Sequence, residues 1–210
     1  MFNSEMIAAG LTWLVYSIYC FGLIPQMFLN YKLRSASGLS DLTLLGYFAG
    51  YVTQFYYVFF EDFPLSYKVM IPIGIVMVSI LVWQRFHYNP NTVTSLLRYS
   101  YLFIFCFVFI FTPIFLRGRL DVDEIFGWIS AFIWFVYALP QVIKIYREKS
   151  FHGISFGFLS VMAIGVSLEL TSALILGLPI QTIISNVRAL LIYAIFCVQF
   201  FRYKIGSVKV

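Results

Sequence analysis

Charged residues are scarce in this chain. Of its 210 residues, 11% are Asp, Glu, Lys or Arg, against roughly 25% in a typical soluble domain. So few charges cannot solvate a globular fold of this length, which argues against a water-soluble enzyme or adaptor. Cysteine occurs three times and histidine twice. Cys20, Cys106 and Cys197 fall inside apolar runs at spacings that match neither a disulfide framework nor a metal site. No nucleophile–base–orienter set or phosphate loop is visible, so no enzymatic activity and no cofactor are expected. No Asn-x-Ser/Thr sequon occurs, which favours a bacterial inner membrane over a lysosomal or vacuolar membrane with its glycosylated lumen. Met1 to Glu5 carries no basic cluster, so the first apolar run is expected to be a span and not a cleaved leader.

What is abundant is apolar and aromatic: 61% and 20% of residues. A membrane-crossing helix needs about 20 predominantly apolar residues. Apolar runs between polar punctuation give seven candidates, roughly 5–31, 41–60, 65–86, 95–116, 124–146, 156–176 and 180–201. The expected class is an all-α integral membrane protein with seven transmembrane helices, embedded in a lipid bilayer. The alternation Phe103, Phe105, Phe107, Phe109, Phe111 is read as part of a lipid-facing helix because the apolar run is too long for a strand. Lys32, Arg34, Arg85, Arg98, Lys144, Arg147, Lys149, Arg202, Lys204 and Lys209 fall on one side of a sevenfold crossing, and most acids fall on the other, with only Lys68, Arg117 and Arg119 as basic residues there. The basic side is cytoplasmic by the positive-inside rule, which puts the N-terminus outside and the C-terminus in the cytoplasm. This bias accounts for the net charge of +5, so no nucleic-acid partner is inferred.

The chain repeats itself. Ile24-Pro25-Gln26, leading through Tyr31-Lys32 to Ser35 and Gly38-Leu39-Ser40, returns as Leu139-Pro140-Gln141 through Tyr146-Arg147 to Ser150 and Gly153-Ile154-Ser155. From Pro25 to Pro140, and from Ser40 to Ser155, is the same 115 residues. The ungapped register extends from Trp13/Trp128 to Gly50/Gly165, which marks an internal duplication. Three spans per copy is an odd number, so one extra span must separate the copies for both to insert the same way. The expected plan is a first three-helix repeat over 1–90, a linker transmembrane helix over 91–119 and a second three-helix repeat over 120–210. Two parallel bundles then pack about a twofold axis along the membrane normal, a 3+1+3 arrangement also found in SWEET carriers.

Proline within a span removes a backbone hydrogen bond and clashes with the preceding turn. Pro25 and Pro140 are therefore candidate hinges, or static kinks, whose freed backbone groups the amides of Gln26 and Gln141 can satisfy. The basic residues that follow read as topology anchors, and Ser40 and Ser155 as caps of the next helix. Glu169 is the acid placed deepest in an apolar span, a costly position that points to function. Arg188 lies as far as Glu169 from the intervening turn at Gly177-Leu178-Pro179 and is its expected partner, either as a structural ion pair or within a titrating, substrate-binding site. The repeat equivalents of these two are Gln54 and Ile73, so the site should be chemically asymmetric. Ser172 shares a helical face with Gly165 and Glu169, as Tyr57 does with Gly46, Gly50 and Thr53. Asn186 and Arg188 lie on nearly opposite sides of one helix, so one of them is expected to serve packing. The equivalents Tyr19 and Trp134 are candidates for an outer gate or a cation–π wall, or for ordinary packing. Trp13 and Trp128 read as interface anchors, His87 and His152 as solvated loop residues.

The two phrases GLIPQMFLNYKLRSASGLS and ALPQVIKIYREKSFHGIS resemble the paired motifs of the PQ-loop family. Its members include cystinosin and lysosomal cationic amino-acid exporters; SWEET sugar carriers and the KDEL receptor are more distant relatives. The resemblance covers both repeats and implies a secondary transporter that moves a small polar solute by alternating access. It also implies a pocket position for Asn186, where cystinosin-like carriers have an Asp-Pro pair and SWEETs an asparagine. The sixth-helix aspartate of cystinosin-like carriers falls at Met162 and the seventh-helix one at Asn186, so the resemblance does not carry proton coupling over by itself, and Glu169 is the candidate to substitute as the titrating group. The expected pocket comprises Asn186, Gln54, Tyr57, Ser172, Glu169, Arg188, Tyr19 and Trp134. Both charge signs in it suit a cationic or zwitterionic amino acid, with protons as coupling partner. A sugar or nucleoside-like facilitator of SWEET type is the alternative, and a receptor or sorting protein on the same fold is another.

Overall fold

The computed structural model describes residues 4–60, 63–92, 98–101, 103–104 and 123–206. In each copy the first long helix is broken at its proline. α1 (Ser4–Gly22) continues as α2 (Ile24–Leu33), and α3 (Asp41–Phe60) and α4 (Leu65–Tyr88) follow. In the second copy α5 (Asp123–Val136) continues as α6 (Leu139–Glu148), followed by α7 (Phe156–Leu176) and α8 (Ile180–Gly206). These limits lie within a few residues of the expected spans. The expected span over 95–116, and with it most of the linker over 91–119, falls outside the described residues.

The breaks follow from proline chemistry. Pro25 and Pro140 sit in the first turn of α2 and α6, where a missing N–H costs nothing. The Leu23 carbonyl receives the N–H groups of Gln26 and Met27, as the Ala138 carbonyl receives those of Gln141 and Val142. The backbone at each break is thus satisfied locally, and both glutamine side chains are left for other work. Both short helices also end alike, at Arg34 (φ 49°) and Lys149 (φ 47°), in the left-handed region that stops a helix.

Packing obeys the same symmetry. α4 packs against both α1 and α3, and α8 against both α5 and α7. The copies meet where α1 packs on α7 and α3 on α5. The order α1–α4–α3–α5–α8–α7 therefore closes into a ring of six helices. Five stretches, Gly10–Leu33, Leu65–Tyr88, Phe126–Glu148, Phe156–Leu176 and Ile180–Tyr203, are long and apolar enough to cross a membrane. α3 is outside that set because Tyr47, Tyr51, Thr53, Gln54, Tyr56 and Tyr57 lower its hydropathy; the four tyrosines are buried inside the ring. Trp13 and Trp128 are exposed at 41% and 49%, as befits interface anchors.

Equivalent positions keep the same contact with different chemistry. Gln84 on α4 donates to the Met27 carbonyl (3.1 Å), and Gln199 on α8 donates to the equivalent Val142 carbonyl (3.0 Å). Asn30 also donates to Gln84 Oε1 at 3.0 Å, but its equivalent is Ile145, and Gln199 Oε1 is left buried without a partner among the described residues. Likewise Arg85 pairs with Asp41 at 2.7 Å, whereas their equivalents Phe200 and Phe156 stack with centroids 4.2 Å apart. In lipid, hydrogen bonds and close packing hold helices together, so such contacts carry weight. Gln84→Met strands the Asn30 amide, whereas Gln199→Met removes an acceptor that is already unpartnered. Gln84→Met is expected to cost about 1–3 kcal/mol more than Gln199→Met, read from denaturation of the two purified variants; equal costs would count against the paired network.

Candidate functional site

The ring holds a cavity lined from both repeats. Seven of the eight expected pocket residues line it: Tyr19, Gln54, Tyr57, Trp134, Glu169, Asn186 and Arg188. Ser172 does not. It is fully buried beside the cavity, and its hydroxyl oxygen has no partner among the described residues.

Glu169 and Gln54, equivalent by the repeat, are held in the same way. Tyr19 on α1 donates its hydroxyl to Glu169 Oε2 across the repeat boundary at 2.6 Å. Its equivalent Trp134 on α5 donates Nε1–H to Gln54 Oε1 at 2.9 Å. Each aromatic ring fits into a notch left by a glycine of the opposite copy: a Cβ on Gly165 would lie 2.7 Å from the Tyr19 ring, and one on Gly50 3.0 Å from Trp134. The pair is thus a polar contact and a cavity wall at once. Tyr16 and Tyr67 add donors to Glu169 Oε1 at 3.3 and 3.4 Å. Neither tyrosine was legible as a site residue; each lies on a neighbouring helix, α1 or α4, that only the fold brings to Glu169.

The expected Glu169–Arg188 ion pair is not formed: no nitrogen–oxygen contact within 4.0 Å joins them among the described residues. Equal depth on adjacent helices does not fix azimuth. Glu169 turns to the tyrosines of α1 and α4, while the Arg188 guanidinium lies over the Tyr137 ring, 5.3 Å from its centroid. Both Asn186 and Arg188 line the cavity, although they lie on nearly opposite sides of the helix. Both are buried, at 5% and 7% exposure. Asn186 Nδ2 and Arg188 Nε and Nη1 have no hydrogen-bond partner among the described residues.

At the Pro-Gln end the cavity is shut by two layers. Tyr47, Tyr137 and Tyr193 line both this cavity and a second, smaller chamber, so they partition the two. Tyr47 and Tyr137 meet edge to face with centroids 4.7 Å apart. Below the second chamber the two loops touch at equivalent glycines. A Cβ on Gly38 would lie 2.6 Å from the Gly153 backbone, and Gly153 itself has φ +78°, open to glycine at little cost. Gln26 donates Nε2–H to the Gly153 carbonyl (2.9 Å) and accepts from Ser155 N–H (2.8 Å). Gln141 repeats this with the Gly38 carbonyl (3.0 Å) and Ser40 N–H (2.7 Å).

The expectation that the glutamines patch their own helix breaks is therefore corrected: each reads two backbone groups of the other repeat's loop. Ser155 does cap α7, accepting from Phe158 N–H at 3.2 Å. Lys144, expected as a topology anchor, also donates to the carbonyls of Ser37 and Leu39 and so strengthens the same closure. His87 and His152 are exposed, with His87 stacked on Trp83 at 5.0 Å. Among the described residues no three His, Cys, Asp or Glu side chains gather where a metal could sit.

The PQ loop repeat family's profile matches the chain twice, over residues 7–67 and 124–182. A comparison with curated proteins found no match. The two matches cover more than half of the chain and contain both Pro-Gln motifs, so the chain belongs to the PQ-loop repeat family, as a multi-pass membrane protein with an internal duplication.

Proposed function

We propose that this PQ-loop repeat protein is a secondary transporter that carries a small polar solute through the ring by alternating access. The observation that carries the reading is the cavity at the repeat interface, which reaches Tyr57, Gly127 and Gln181 toward one end and is shut at the other by paired, symmetric contacts. A closure made of four side chain–backbone hydrogen bonds and a glycine contact can open without unfolding any helix. The prolines supply the hinge, since each precedes a clasping glutamine by one residue. An amino acid fits the lining best: Glu169 is the one carboxyl group and Arg188 the one cation among the described lining residues.

The reading includes the 3+1+3 plan, with repeats over 1–90 and 120–210, a linker helix over 91–119, the N-terminus outside and the basic Pro-Gln end in the cytoplasm. The shut end is then the cytoplasmic one, and the cavity faces outward. A bacterial inner membrane suits this arrangement, with a lysosomal or vacuolar membrane as the alternative. Glu169 is the proposed coupling group for protons.

Counterflow in liposomes tests the function. Purified protein, preloaded in turn with each unlabelled amino acid, is expected to accumulate the same labelled solute for at least one of them. Saturable binding with no flux for any solute would make the protein a receptor on this fold instead.

A further inference from the structure

We infer that Arg188 and Asn186 form the anion-recognition end of the cavity, and that the solute it accepts carries a carboxylate. This rests on the carrier reading of the same cavity and narrows it to a substrate class. A guanidinium buried at 7% exposure in a membrane bundle is costly unless an anion or a full set of acceptors meets it. Here neither does. Among the described residues, Arg188 Nε and Nη1 have no acceptor, no carboxylate lies within ion-pair distance, and Glu169 is already engaged by three tyrosine hydroxyls.

One contact does hold Arg188, and it leaves the donors available. Its Cζ lies over the Tyr137 ring, a face that attracts a cation but accepts no strong in-plane hydrogen bond. Nε and Nη1 belong to one permanently charged guanidinium, and each lacks an acceptor among the described residues. Asn186, two residues away on α8, adds a third unpartnered donor at Nδ2. Three buried donors without an acceptor, on two residues that line one cavity, leave a demand for an anionic group there.

The single cation limits the charge of that group. A phosphate dianion or a dicarboxylate would bring two negative charges to one arginine, with the Glu169 carboxyl group on another wall of the same cavity. A monocarboxylate balances Arg188 and leaves the rest of the solute to the tyrosine-lined walls. A neutral sugar would leave the guanidinium without a counter-charge, so the SWEET-type alternative is disfavoured at this site. The repeat explains why the feature is confined to one copy: the equivalents of Asn186 and Arg188 are Ile71 and Ile73, neither of which can bind an anion.

The experiment measures ligand-induced thermal stabilisation of the purified protein at constant ionic strength. The probes are the natural amino acids, lactate and pyruvate, each paired with its carboxamide, and glucose. Stabilisation is expected from at least one carboxylate, with its carboxamide binding at least about tenfold more weakly. Arg188→Gln should erase that preference, and Arg188→Lys should retain part of it because the charge remains. The wild-type comparison of acid with amide needs no variant, so it holds even if Arg188→Gln fails to fold. The inference is overturned if amides or glucose stabilise as well as carboxylates, if no carboxylate stabilises at all, or if Arg188→Gln keeps the acid preference. Counterflow with the stabilising acid separates this from the carrier reading. Arg188-dependent binding without flux sinks the carrier alone; flux that ignores Arg188→Gln sinks only the anion site.

Discussion

Glu169→Gln is expected to reduce uptake driven by a pH gradient at least about a hundredfold while exchange of the same solute continues. The amide cannot release a proton, yet its shape is already tested in this molecule. Gln54, the repeat equivalent, accepts from Trp134 with the geometry by which Glu169 accepts from Tyr19. A glutamine in place of Glu169 should therefore keep the wall intact. Arg188 makes no ion pair with Glu169, so the change does not strand a charge, and the loss of about 3–5 kcal/mol that follows from breaking a buried pair is not expected. A stability loss nearer about 1 kcal/mol fits weaker hydrogen bonds to the tyrosines. Unchanged pH-driven uptake in this variant would remove Glu169 from the coupling step.

Gly38→Ala is expected to have a comparable effect by a different route. Its methyl group would sit 2.6 Å from the carbonyl carbon of Gly153, inside any permitted contact, and the obstacle is backbone that cannot turn aside. The loops must separate, and the four hydrogen bonds of Gln26 and Gln141 stretch with them. The closed Pro-Gln end is then unavailable, and uptake should fall at least about tenfold with solute binding less affected. Gly153→Ala adds backbone strain of about 1–2 kcal/mol at φ +78° to the same clash. The readout is transport rate against ligand-induced stabilisation in each variant; full transport in Gly38→Ala would show that the loop contact plays no part in the cycle.

Much of this was legible because the chain is written twice. The offset of Pro25 from Pro140 pairs Tyr19 with Trp134, Gln54 with Glu169 and Gly38 with Gly153, and the fold uses every one of these pairs symmetrically. Span limits were legible from apolar runs because lipid forces each backbone to satisfy itself within a helix. Partners distant in sequence were not. Gln26 stands next to a proline, and local reasoning assigns its amide to the adjacent break, but its partners Gly153 and Ser155 lie on the other copy. Depth along a helix is countable, whereas azimuth depends on packing, so a shared level with Glu169 does not give Arg188 that partner. Ser172 shows the same limit: it shares a helical face with Glu169, yet is not among the residues that line the cavity.

Crosslinking the clasp tests the account most directly. Ser37 and His152 are repeat equivalents, both exposed, and each precedes one of the touching glycines. Cysteines placed at these two positions, in a protein lacking Cys20, Cys106 and Cys197, can be joined by a short reducible thiol reagent. Alternating access through this cavity predicts that the joined protein still binds its solute but does not exchange it across the membrane, and that reduction restores exchange. Exchange at the same rate with the crosslink intact would contradict it.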